Sequence, residues 1–515
     1  MPIPFQGALK ANVACLSDSV YRPMQDLKEK TIRGGLARLA AQAANFLLRL
    51  GSLMILARLL GPKDFGLVGM VTAFTGVLNL FRDFGLSSAT VQRANVTDAQ
   101  VSTLFWINIF VGGLLTLLSI AMAPVIAAFY HEPRLLAVTA VLATSFFFNA
   151  AGVQQGAILQ REMRFTALAV INTLSLIISS AIAVGGAMAG YGYWALVAMT
   201  VTFPLVGSIG YWYAAGWGPG VPRRGTGVRS LMRFGSTLTL NGLVAYVAYN
   251  LEKVLLGRFW GADAIGIYGR AYQLINIPTD NLNTAVGEVA FSALSRAQDD
   301  HKRLRSYFLK GYSLVLTLTI PITVVCALFA DDVVSVFLGP KWTEVVPIFR
   351  LLAPTILVFA IINPLGWLIY SLGLVARGLK IALAFAPTII AGCIIGLPYG
   401  PKGVAFAYSA VMILWLLPHI AWCVYGTVVS FRDILVTAGR LLAIGIVAGG
   451  VAFAVRLSIG HLMSAFPRLV LESAGVLIPF VGVLLFVSGQ KALYLDVLRG
   501  FRKAPLVQGE DLAEA

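Results

Sequence analysis

The chain has 515 residues, of which 58% are hydrophobic and only 12% charged, with a formal net charge of +16. A soluble domain carries roughly 25% charged residues, so this composition excludes an ordinary water-soluble core and makes lipid the solvent. Apolar runs long enough to cross a hydrocarbon core of roughly 30 Å as helices recur from about position 35 to position 488, and they lack the alternation of a β-barrel.

Taken in chain order, residues 1–32 are mixed and polar, without the continuous apolar core of a cleavable signal peptide, and read as a cytoplasmic N-terminal segment. Fourteen spans are then expected, at about 35–57, 66–90, 101–129, 135–158, 166–187, 192–214, 231–256, 265–294, 307–329, 345–370, 379–397, 403–426, 438–457 and 468–488. The fold class is an all-α integral membrane protein of two pseudo-symmetric six-helix bundles around a central cavity, with two extra C-terminal helices. The expected boundaries are 33–215 for the first bundle, 216–230 for a cytoplasmic linker, 231–427 for the second bundle, 428–490 for the added pair and 491–515 for a cytoplasmic tail.

A duplication carries this division. R-L-L-G-P-K-D-F-G-L-V-G-M at Arg58 to Met70 returns two hundred positions later as R-F-W-G-A-D-A-I-G-I-Y-G-R, at Arg258 to Arg270. Arg58, Gly61, Gly66 and Gly69 match Arg258, Gly261, Gly266 and Gly269 without a gap. Such internal repeats are a common plan for transporters. A weaker echo opens spans six and twelve, at Gly190 to Val197 and Gly400 to Ala407.

Lys and Arg set the orientation. With the N-terminus inside, the inner segments outnumber the outer ones in basic residues by about three to one, and both termini are cytoplasmic. The positive charge is thus read as topology setting, with no nucleic-acid partner. Cys15, Cys326, Cys393 and Cys423 are scattered and form neither metal spacing nor a disulfide framework, so no metal site and no cofactor are expected. No loop is long enough for a soluble domain, and the phosphate-binding, metalloprotease and nucleophile-elbow motifs are missing. An integral-membrane polymerase is disfavoured on that ground. The carboxylate pairs Asp299-Asp300 and Asp331-Asp332 read as solvated helix ends, and His419 as a packing histidine.

Polar residues inside spans are costly in hydrocarbon and should face a cavity or a partner. Span one holds Arg38, Gln42, Asn45, Arg49 and Ser52 at helical spacing on one face. Span two offers Thr75, Asn79 and Arg82, with Asp83 adjacent; span seven offers Tyr246, Asn250 and Lys253, with Glu252 adjacent. Span eight runs Arg270, Gln273, Ile277, Asp280, Thr284 and Glu288, with Pro278 expected to kink it. These helices occupy corresponding places in the two halves, so their stripes can line one central cavity. The candidate substrate-binding residues are Gln42, Asn45, Arg49, Asn79, Arg82, Asn250, Lys253, Arg270 and Gln273. Asp83, Asp280 and Glu288 are the candidates for ion coupling. Desolvated arginines present a planar fork of donors that suits a diphosphate, and amides suit sugar hydroxyls. The bland alternative for Arg82–Asp83 and for Glu252–Lys253 is a helix end or a packing ion pair.

A-R-L-L-G-P-K-D-F-G at Ala57 to Gly66 and L-Q-R-E-M-R-F at Leu159 to Phe165, with Arg223-Arg224 before span seven, resemble patterns of the bacterial Wzx-like polysaccharide-transport flippases, within the multidrug/oligosaccharidyl-lipid/polysaccharide exporter superfamily. The likeness covers roughly residues 33–430. It implies alternating access between two bundles, no ATPase domain, and an undecaprenyl-diphosphate-linked oligosaccharide as substrate. It further implies a bacterial inner-membrane flippase, not an enzyme, that serves exopolysaccharide, capsule or O-antigen synthesis beside a polymerase and a chain-length regulator. The rival expectation is a cation-coupled multidrug exporter of the same superfamily.

Overall fold

The computed structural model describes residues 44–82, Ser87, Thr90 and residues 97–222, 229–459 and 463–487, side chains being described for most of them. The helices are α1 (44–59), α2 (Pro62–Asn79), α3 (Asp98–Tyr130), α4 (Leu135–Arg161), α5 (Phe165–Met188) and α6 (Tyr193–Ala215). The long segment Arg229–Arg296 has one non-helical residue, Gly261 at φ 80°, and is α7 (229–260) followed by α8 (262–296). Next come α9 (His301–Leu328), α10 (Ala330–Phe337), a 3-10 turn at Pro340–Trp342, α11 (Val345–Leu352) and α12 (Pro354–Ser371). The chain continues through α13 (Val375–Gly396), α14 (Gly400–Val424), α15 (Phe431–Ile459) and α16 (Ala465–Gly482). No strand occurs among the described residues.

Nine stretches among the described residues are long and apolar enough to cross a bilayer, and one of them, Val375–Val424, is the hairpin α13–α14. The segments with the polar stripes, Pro62–Asn79 and Arg229–Arg296, fall outside that set because their charged and amide residues lower their hydropathy. The architecture is the expected helical membrane fold.

Local chemistry moves several edges. Span two, read as starting near 66, begins at Pro62. Pro occupies the first helical position, where its missing N–H costs nothing, and the Asp64 carboxylate accepts from the Gly61 N–H at 3.0 Å. The tenth span runs Val345–Ser371, close to the expected 345–370, with Pro354 opening α12 after a turn at Ala353. The stretch after Asp331, read as loop, contains α10, whose Asp332, Val333, Val334 and Val336 are buried. At Pro278 α8 keeps helical torsions, and the one non-helical residue, Gly261, falls in the expected gap between spans seven and eight.

The most extensive contact between elements joins α2 to the α7–α8 segment, and it is built on the duplicated glycines. A Cβ on Gly66 would stand 1.8 Å from the Ala262 carbonyl oxygen. One on Gly266 would stand 1.9 Å from that of Pro62. Each glycine therefore admits the other half's helix start at a distance no other residue allows. The repeated arginines also cross over. Arg58 donates to the Val336 carbonyl at 3.0 Å, while Arg258 meets His131 Nδ1 at 3.1 Å. Trp342 then donates to the Ala57 carbonyl at 2.7 Å and packs edge-on to Phe65.

Two apolar cores result. One runs through α1, α2 and α4 into α8, α11, α12 and α14 and so joins both halves. The other packs α15 and α16 against α9 and α12.

Candidate functional site

The candidate residues lie on α1, α2, α7 and α8. On α1, Leu53, Leu56, Ala57 and Leu60 are buried. At 100° per residue, Arg49 lies in the middle of that same buried face, one turn before Leu53. Arg49 is nevertheless exposed, and it makes no hydrogen bond or ion pair among the described residues. One further turn back, Asn45 Oδ1 is buried and has no hydrogen-bond partner among the described residues. Ser52 is buried and bonds Ser180 of α5 at 2.8 Å, which ties α1 to the first half.

On α8, Ile267, Tyr268, Ala271, Leu274 and Ile275 form the buried face, and Arg270 and Gln273 flank it. The Arg270 guanidinium lies 4.4 Å from the centroid of Phe65, a residue of α2 in the other half. Such a stack leaves the donor edge of the guanidinium free to meet an anion. Its Nε is buried without a hydrogen-bond partner among the described residues, as is Gln273 Oε1. No carboxylate pairs with Arg270 among the described residues.

Lys253 on α7 is half-buried. Its Nζ donates to Asn250 Oδ1 at 2.7 Å and stands 4.8 Å from the Tyr272 ring centroid. Asn250 in turn donates to the Tyr246 carbonyl at 3.0 Å. Tyr246 reaches across the halves, its hydroxyl donating to the Thr72 and Ala73 carbonyls at 3.3 Å. Gly76 makes room for that ring, since a Cβ there would lie 1.8 Å from the hydroxyl oxygen. Lys253 and Arg270 are near enough for their charges to interact.

The expected residues therefore divide. Arg270 lies against Phe65 of α2 and within reach of the charge of Lys253, which holds Asn250, and Gln273 is one turn beyond Arg270; on α1 Arg49 is exposed and Asn45 half-buried. Arg82 Nη1 donates to Asn149 Oδ1 of α4 at 3.4 Å, a bond inside the first half, and its Nε is buried without a hydrogen-bond partner among the described residues. Asn79 donates back to the Thr75 carbonyl at 3.4 Å within α2. Gln42 and Asp83 lie outside the described residues, and so do the side chains of Asp280 and Glu288, although α8 carries both positions. Of the bland alternative for Glu252–Lys253, the two charges do act on each other, but Lys253 Nζ donates to Asn250 and no hydrogen bond to Glu252 occurs among the described residues. Spacing alone missed Asn149, the partner of Arg82. Among the described residues no group of three or more His, Cys, Asp or Glu could hold a metal ion.

A model of a family described as polysaccharide biosynthesis protein matches residues 55–347. The chain is 27% identical over 400 residues to the lipopolysaccharide biosynthesis protein WzxC of Escherichia coli (strain K12), covering 75% of this chain and 80% of that protein. It is 31% identical over 296 residues to the teichuronic acid biosynthesis protein TuaB of Bacillus subtilis (strain 168), covering 56% of this chain and 61% of that one. Among solved structures, the lipid II flippase MurJ in an inward closed conformation superposes with a TM-score of 0.71 at 14% identity, over 88% of this chain and 99% of MurJ. An inward-facing multidrug resistance MATE transporter of the MOP superfamily gives 0.60 at 14% identity, over 78% of this chain and 99% of that one. At these identities the structural likenesses establish the fold.

Proposed function

The chain belongs to the polysaccharide biosynthesis protein family and is a multi-pass membrane transporter, not an enzyme, and from that premise we propose that it flips an undecaprenyl-diphosphate-linked oligosaccharide across the bacterial inner membrane. The observation that carries this reading is Arg270. A guanidinium inside a membrane bundle, stacked on Phe65, beside Lys253 and without a carboxylate partner among the described residues, is a site lacking its anion. A diphosphate supplies the missing charge and accepts the fork of donors. Asn45, Asn250 and Gln273 offer amides to sugar hydroxyls. The prenyl chain stays in lipid between the bundles, and no covalent bond changes.

In this reading the bundles are residues 33–215 and 231–427, and the basic segments, including the linker 216–230, face the cytoplasm. The Gly66–Ala262 and Gly266–Pro62 contacts then close the periplasmic side while Arg49 stays accessible from the other. Rocking of the halves about that crossing would alternate access. The product feeds a polymerase and a chain-length regulator. Organic cations are a poor cargo for the same site, since Arg49, Lys253 and Arg270 would repel them. The test is Arg49→Ala and Arg270→Ala, assayed for surface polymer at unchanged protein level. Loss of export in each is expected; full export in both removes the diphosphate site.

A further inference from the structure

The start of α9 reads H-K-R-L-R-S-Y-F-L-K, from His301 to Lys310, and marks the membrane surface, because the apolar part of the helix follows it. Leu304 and Phe308 turn into the core. At 100° per residue, His301, Lys302, Arg305, Ser306 and Leu309 share the face beside them. With Val428, from the turn that joins α14 to α15, these five line a hollow of about 370 Å³.

Most donors of the hollow are unspent. The Lys302 ammonium, the His301 ring and the Ser306 hydroxyl make no hydrogen bond or ion pair among the described residues. Arg305 gives Nε and Nη2 to Asp433 of α15, at 2.9 and 2.6 Å, and keeps Nη1. The nearby carboxylates are committed elsewhere. Asp433 also accepts from the Ser430 N–H at 3.0 Å, and Asp300 Oδ1 accepts from the backbone N–H groups of Lys302 and Arg303 at 3.1 and 3.0 Å. Neither pairs with the Lys302 ammonium.

The hollow also changes character with depth. Leu309 lies eight residues after His301, about 12 Å further along the helix, and with Val428 it makes the apolar end. A free phosphate would use the cationic end alone. A phospholipid uses both, since its phosphate oxygens accept from Lys302, Arg305 and Ser306 while its acyl chains run on past Leu309 into hydrocarbon. We propose that this hollow seats the phosphodiester headgroup of an anionic phospholipid, which ties α9 of the second bundle to the turn before the added helices α15 and α16. The proposal does not rest on the anion site at Arg270, which lies on another helix. In the orientation proposed above, the lipid comes from the cytoplasmic leaflet.

The experiment is native mass spectrometry of the purified full-length protein in detergent, titrated with dioleoylphosphatidylglycerol. One copy should stay bound at concentrations where dioleoylphosphatidylcholine, with the same chains, does not. Lys302→Gln should weaken that binding about fivefold, the effect of one cation at a membrane surface, and Lys302→Gln with His301→Gln should weaken it further. Lys310→Gln is the control, an exposed cation of the same helix outside the hollow, and should bind as the wild type does. All three side chains are exposed, so these variants keep the fold. Equal weakening in Lys310→Gln reduces the effect to diffuse surface charge and overturns the proposal. Undiminished binding in the double variant, or equal retention of the two lipids, overturns it as well. Displacement of phosphatidylglycerol by inorganic phosphate at equal concentration would make the occupant a free anion. Displacement by farnesyl diphosphate, undiminished in Arg270→Ala, would make it a lipid diphosphate. Either result overturns the phospholipid assignment.

Discussion

Gly66 and Gly266 each rest against the backbone of the other's repeat, with Ala262 and Pro62 as the reciprocal partners. Two matched contacts of this kind define a pseudo-two-fold axis between α2 and α8. They leave no room for a methyl group, so the closeness of the two helices depends on both glycines.

Gly66→Ala and Gly266→Ala should each separate these helices. Overpacking a close contact costs about 1–3 kcal/mol, and here the obstacle is backbone, which cannot rotate away. A lower unfolding temperature and reduced polymer export are expected for each. Gly269→Ala is the control, since a Cβ there meets nothing within 4 Å. The same loss in Gly269→Ala would show that any helix substitution is harmful and that the crossing is not special.

The repeat made this crossing legible in the sequence, because four matched residues at one offset need a common reason. The stripe on α8 was legible for the same kind of reason: Arg270 and Gln273 recur at helical spacing and do flank its buried face. The rest was hidden by physics that spacing does not encode. Arg82 finds Asn149, a residue of α4 with no pattern of its own, so only tertiary packing joins them. α10 leaves no mark in the sequence, because eight residues are too few to show a period.

Arg82 should therefore behave unlike Arg49 and Arg270. Its bond to Asn149 is long, and hydrogen bonds to charged groups contribute about 1.5–3 kcal/mol at best. Arg82→Ala should lower export only in part, and Asn149→Ala should match it. The double variant should be no worse than either single one, because both remove the same bond. Complete loss of export in Arg82→Ala, with Asn149→Ala normal, would return Arg82 to the substrate site.

The added helices are clasped by charge. Arg468 of α16 donates to Asp332 Oδ1 of α10 through Nε at 2.8 Å and also through Nη2, and Asp332 is fully buried. Arg456 of α15 lies 3.8 Å from Asp332, 3.7 Å from Asp331 and 3.6 Å from the buried Glu472. Removing one partner from such a buried pair costs about 3–5 kcal/mol, because the other charge stays behind. Asp332→Ala should lower the unfolding temperature and expose the turn at 425–430 to protease. Asp332→Ala with Arg468→Ala should cost less than the two single losses added together. Strict additivity would mean that the ion pair does not hold α16 in place.

Orientation decides which face the glycine crossing closes. If the basic segments are cytoplasmic, Glu344, an exposed residue beside the Trp342 clasp, faces the periplasm, and Gly218 after α6 faces the cytoplasm. Cys326, Cys393 and Cys423 are buried, so with Cys15→Ser the background labelling is low. A membrane-impermeant maleimide on intact spheroplasts should label Glu344→Cys and spare Gly218→Cys until the membrane is opened. Gly218 suits the purpose because nothing lies within 4 Å of its added Cβ. The opposite pattern would invert the chain in the membrane. The space in front of Arg49 would then open outward, and the site would receive its anionic lipid from the periplasmic leaflet.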